Sequence, residues 1–158
     1  MNANYILAVA FGIGFVAGLR SLTAPAAVSW AAYLGWLNLH DSSLAFMGST
    51  AVVAIFSLLA MVEYVGDMLP KTPSRTAAAP LIARIVTGGF SGACVCAAAN
   101  QPLLVGIALG GLGGLIGAFA GYEVRKRVVN ALKIKDAIIA LAEDLVTIGL
   151  AFFLVLPR

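Results

Sequence analysis

The sequence predicts an all-α bundle of membrane-spanning helices, and three observations carry that prediction. The 158 residues are 61% hydrophobic and only 11% charged, where a soluble domain carries about 25% charged residues. Mean hydropathy is +1.00. Charged side chains are absent from 1–19, 42–62 and 85–122, and a spanning helix needs roughly 20 apolar residues.

The first apolar run gives a helix over 4–20. It lacks the basic start and the small-residue cleavage site of a secretory signal, so it reads as a retained helix. The stretch SLTAPAAVSWAAYLGWLNLHDSS follows, uncharged until Asp41. Its Pro25, Trp30, Tyr33 and Trp36 suit a membrane–water interface. It reads as a re-entrant or interfacial helix starting near Pro25, or as a sixth, short crossing. Irregular backbone at that depth must be covered by protein or line a cavity.

A second spanning helix covers 46–66. Pro70 and Pro73 stop it soon after Asp67. The uncharged 85–122 is long enough for two helices with a turn at Asn100-Gln101-Pro102, placing helices at 79–99 and 102–123. The last helix covers 136–156. Five spanning helices plus one re-entrant or interfacial helix, or six crossings, thus form one membrane domain over 1–158.

Glycines recur at helical spacing. Gly113, Gly117 and Gly121 are four apart, as are Gly110 and Gly114; Gly14 and Gly18, and Gly88 and Gly92, repeat the pattern. Small-xxx-small faces let helix backbones approach closely in lipid. A chain this short encloses few helices, so a homodimer through a glycine face is expected. Cys94 and Cys96, two apart on a helix, point in different directions and read as small apolar packing residues. His40 beside Asp41 reads as a solvated loop residue. No cofactor or metal motif is present, and GIGFVAG lacks the spacing and preceding strand of a dinucleotide fingerprint.

Lys71, Arg75 and Arg84 precede the 79–99/102–123 hairpin, and Arg125, Lys126, Arg127, Lys133 and Lys135 follow it. Both basic segments therefore lie on one side, which the positive-inside rule makes cytoplasmic. The C-terminus then faces outward; the N-terminus is inside with five crossings and outside with six. The basic residues flank membrane spans, so membrane lipids, rather than nucleic acid, are the expected partners. FGIGFVAGLRS echoes GLIGAFAGYEVRK, and FSLLAMVEYVGD echoes AIIALAEDLVTIG, the pattern of an inverted repeat if the halves are oppositely oriented.

The last helix holds two acids. Beyond Asp144 only 145–157 is uncharged, about 20 Å of helix against a hydrocarbon core of about 30 Å. It can span only by drawing Glu143 and Asp144 into the bilayer, about two turns deep. Each buried charge costs at least about 2.5–3.5 kcal/mol, so basic partners are expected. Glu63 and Asp67 share one helix face. A polar centre near the cytoplasmic side, built from Glu63, Asp67, Arg84, Glu143 and Asp144, follows; Arg20 joins it or not according to the crossing count. Three uses compete: a site that binds or transports a small solute, ion or lipid; an ion-pair network that only locks helices; and a lipid-phosphate enzyme, with Lys71, Arg75 and Arg84 on the phosphate. Lys71 and Arg75 are also headgroup-binding candidates. No nucleophile–base pair stands out.

GLRSLTAPA, EYVGDMLPKTPSRT and ARIVTGGFSGA together resemble a family of small bacterial integral membrane proteins catalogued as a domain of unknown function. The family pattern maps onto Gly18-Leu19-Arg20, Glu63, Asp67, Pro70 and Arg84; Met68 stands where a Lys often follows the Asp. The resemblance implies a multi-pass protein of the bacterial inner membrane and singles out Arg20, Glu63, Asp67 and Arg84. It implies no activity.

Overall fold

The computed structural model describes residues 2–67, 76–132 and 136–157. Among them run six α-helices and no strand: α1 (Ala3–Leu19), α2 (Thr23–Tyr33), α3 (Thr50–Asp67), α4 (Ala78–Ala98), α5 (Leu103–Leu132) and α6 (Asp136–Val155). A 3-10 turn at Ala45–Gly48 leads into α3. Lys71, Arg75, Pro70 and Pro73 fall outside the described residues. Helices α3 to α6 are each long and apolar enough to cross a membrane, and α1 is a shorter apolar helix. The protein is a multi-pass helical membrane bundle.

Neighbouring contacts set the direction of each helix. Gly14 meets Gly110 and Gly18 meets Gly114, so α1 and α5 run parallel. Gly88 meets Gly110 and Gly92 meets Gly106, so α4 runs against α5. Thr23 bonds Tyr64 and Trp30 bonds Ser57, so α2 runs against α3. Asp144 reaches Arg20 while Leu154 covers Gly12, so α6 runs against α1. The helices therefore alternate in direction along the chain.

The second pass is incomplete. Eleven residues make α2 about 16 Å long and α1 about 25 Å, short of a 30 Å core. Together they form a helical hairpin that enters from one side, turns at Arg20–Leu22 and returns. Alanine, proline and serine fill α2, and every residue of it except Trp30 and Tyr33 is buried. The sequence stretch that reads as re-entrant is thus the returning arm of that hairpin. Two left-handed residues close helices on the far side: Gly35 (φ 75°) after α2 and Asn100 (φ 53°) after α4. In each, the next amide reaches back to a helix carbonyl, Trp36 N–H to Ala31 and Gln101 N–H to Cys96, both at 2.8 Å. That is the Schellman closure favoured by Gly and Asn.

Helices α1, α4 and α5 meet backbone to backbone. A Cβ added at Gly88 would lie 2.6 Å from the Gly110 carbonyl oxygen, and one at Gly18 would lie 2.5 Å from that of Gly114. The glycine rows of these helices are used for packing inside the chain. Helix α3 is the opposite case. Only Val53 and Ala60 are buried, while Ile55, Leu58, Met61, Val62 and Val65 are exposed as a lipid-facing stripe. The two sequence echoes fall on α1/α5, which are parallel, and on α3/α6, which are antiparallel; one two-fold axis cannot relate both pairs.

Candidate functional site: an ion-pair cluster at a buried helix break

Helix α1 stops at Leu19, and Arg20 adopts extended backbone (φ −142°, ψ 112°) before α2 begins at Thr23. A helix break frees carbonyls on one side and amides on the other. Inside a membrane they must find protein partners, and two neighbouring helices supply them. The Arg84 guanidinium of α4 donates from Nε to the Gly18 carbonyl at 3.0 Å. The Glu63 carboxylate of α3 accepts from the Ser21 and Leu22 amides, both at 2.8 Å, and from the Ser21 hydroxyl at 2.7 Å. Glu63 is therefore the N-terminal cap of α2, delivered from another helix. Ser21 and Thr23 do not cap the helix themselves: Ser21 donates to Glu63, and Thr23 shares a 2.7 Å bond with the Tyr64 hydroxyl.

The Arg20 side chain turns inward and is completely buried. Its Nε donates to Asp144 Oδ1 at 2.6 Å, and its Nη1 is ion-paired with Asp67 Oδ2. The Tyr64 ring lies 5.8 Å from the guanidinium carbon, within cation–π range. Arg20 Nη2 is buried with no hydrogen-bond partner among the described residues. Arg125 of α5 extends the cluster: its Nη1 lies 3.4 Å from Asp67 Oδ2 and 3.7 Å from Glu143 Oε2. Arg84 Nη2 stands 4.0 Å from Glu63 Oε1. Four carboxylates and three guanidiniums, from the tip and four helices, gather around the helix break, with Glu63 and Arg84 joined to the other five through the backbone of the tip.

Its depth follows from the helices around it. Arg84 sits six residues into α4 and Asp144 eight residues into α6, about 9 and 12 Å along the axis. Asp144 is 4% exposed. The two acids of the last helix thus lie inside the bundle with basic partners, as the short apolar tail requires.

The structure brings together Arg20, Glu63, Asp67, Arg84, Glu143 and Asp144. Lys71 and Arg75 lie outside the described residues. Sequence reasoning missed Arg125, placing it in a basic flank. The signal was present: Gly113, Gly117, Gly121 and Arg125 are four apart on one helix row. It also missed Tyr64, one residue beyond Glu63. The cluster divides by task. Glu63 and Arg84 satisfy the broken backbone; Arg20, Asp67, Asp144, Arg125 and Glu143 satisfy one another and leave one buried donor over. Among the described residues no three His, Cys, Asp or Glu side chains converge as a metal-binding group.

Over residues 7–157 the chain matches the family described as a domain of unknown function, DUF4126, and it belongs to that family. No curated protein and no solved structure matches it.

Proposed function

We propose that the protein binds a small solute, ion or lipid at the cluster around the hairpin tip and passes it between the two sides of the membrane. One observation carries this reading: Arg20, wholly buried, has an N–H group with no partner among the described residues while two carboxylates from separate helices hold the rest of its guanidinium. A buried donor left unpaired costs about 1–3 kcal/mol, and a bound polar atom would remove that cost. Broken helices at membrane depth are a recurrent way to build such sites. The two carboxylates, Asp67 and Asp144, sit on α3 and α6, so occupancy at Arg20 acts on both helices together. By the positive-inside rule the cluster lies toward the cytoplasmic side, in a bacterial inner membrane.

Native mass spectrometry of the purified chain in gentle detergent tests this. The wild type is expected to retain a small molecule or ion that Asp144→Asn loses while remaining folded. A second reading, a pure helix lock, is favoured by Glu63 and Arg84, whose bonds go to backbone. It wins if Asp144→Asn unfolds the protein and the wild type retains nothing.

A further inference from the structure

A crevice of about 430 Å³ lies between α5 and α6, with Phe15 and Leu19 of α1 as its floor. It falls within the roughly 300–1,000 Å³ range of ligand clefts. Its walls are carbon almost throughout, from Ala120 to Val128 on α5 and from Ile139 to Thr147 on α6. Both walls belong to helices long and apolar enough to span. Around the crevice, Phe119, Val124, Ile138, Leu145 and Val146 are all exposed, so it opens toward the bilayer rather than toward water. At its inner side it reaches Arg125 and Glu143, two members of the ion-pair cluster, and Leu19, the residue before Arg20.

We propose that this crevice holds one hydrocarbon chain of a membrane lipid, and that the molecule served by the cluster arrives sideways from the bilayer. The proposal deepens the binding reading above by naming its substrate class, an amphiphile, and rests on that reading. Size selects the occupant. Each wall is about 12 Å long, so 430 Å³ leaves a cross-section of roughly 36 Å². An α-helix 10–12 Å across needs more than twice that, so a helix from a second copy could lie over the mouth but not enter. A single polymethylene chain, with carbons touching their neighbours at about 3.5–4.0 Å, fits. Polarity selects it too. Water needs two to four polar partners to occupy a cavity, and these walls offer almost none. An empty crevice would forfeit the dispersion contacts of its lining.

The test uses the full chain in phosphatidylglycerol vesicles doped with a phosphatidylglycerol that carries a diazirine near the end of one acyl chain. After irradiation, labelled residues are located by peptide mass spectrometry. Labelling per residue on 120–128 and 139–147 is expected to exceed that on Leu58, Met61 and Val65 of α3 by about tenfold, the ratio for a 1.4 kcal/mol preference. Ala142→Trp is expected to fill the crevice and abolish the excess while α3 labelling stays unchanged. If Ala142→Trp fails to fold, Ala120→Phe on the facing wall decides the same question. Equal labelling of the crevice and α3 overturns the proposal, as does an excess that survives both blocking variants. A disulfide between two copies through Val124→Cys overturns it in favour of a second copy. Failure of the cluster reading has a separate mark: Asp144→Asn leaves the retained molecule of native mass spectrometry unchanged.

Discussion

Two parts of this bundle are held together by opposite means. Helices α1, α4 and α5 touch through glycine backbones, with no room for a Cβ at Gly18, Gly88 or Gly114. Helices α3 and α6 make no such glycine contacts; beside the apolar side chains they pack on the core, such as Phe56 and Ala151, they join the bundle through charged groups, Glu63 and Asp67 from one and Asp144 from the other. Close packing of that kind has no second arrangement of similar energy, because separating two backbones loses many dispersion contacts at once. An ion-pair cluster can exchange partners among several carboxylates and guanidiniums. The glycine trio is therefore the more tightly packed frame, and α3 and α6 are the more loosely seated elements.

The largest expected effect tests the charged part. Arg20→Gln takes from Asp144 the guanidinium that neutralises it and from Asp67 one of its two arginines, and removing one partner of a buried pair costs about 3–5 kcal/mol. Thermal unfolding in detergent should register it. Hydrogen exchange should place the loosening in α3 and α6 while α1, α4 and α5 stay protected; uniform loosening would break the distinction. The double variant Arg20→Gln/Asp144→Asn should recover part of the loss, because the uncompensated charge goes with the arginine.

Next comes the frame. Gly110→Ala drives a methyl against the Gly88 and Gly92 backbones, an overpacking that costs about 1–3 kcal/mol. The same melt should show it, with exchange now rising in α4 and α5. Glu63→Gln keeps an oxygen for the Ser21 or Leu22 amide but gives up the charge-assisted cap of α2; a loss of about 1–2 kcal/mol is expected. Gly66→Ala is the smallest. A Cβ there meets nothing within 4 Å, so the melt should stay within about 1 kcal/mol of wild type or rise slightly through helix propensity.

Much of the frame was legible in the sequence. Hydropathy placed five helices to within a few residues at most ends, because lipid demands an uninterrupted apolar run. The end of α5 was not legible in that way. EVRKRVVNAL is too charged to read as a span, yet its residues are good helix formers, and α5 continues to Leu132. The turn at Asn100-Gln101-Pro102 was legible because Asn tolerates a left-handed backbone and Pro starts a helix. The membership of the cluster was legible from the price of charge in lipid. Its pairing was not: Arg20 and Asp144 are 124 positions apart, and periodicity is blind to such distances. Nor was the division of labour visible, since Glu63 and Asp67 share a face but one serves backbone amides and the other a guanidinium.

The position of Arg20 also bears on how the chain is made. At synthesis rates of about 5–20 residues per second, Asp144 leaves the ribosome roughly 6–25 s after the arginine it neutralises. Throughout that interval the short hairpin carries a cation into lipid with its second counter-charge still unwritten. Its final seating is therefore expected to wait for the last helix. A chain halted after residue 132 should leave the 20–33 region open to protease from the basic side, whereas the finished chain protects it.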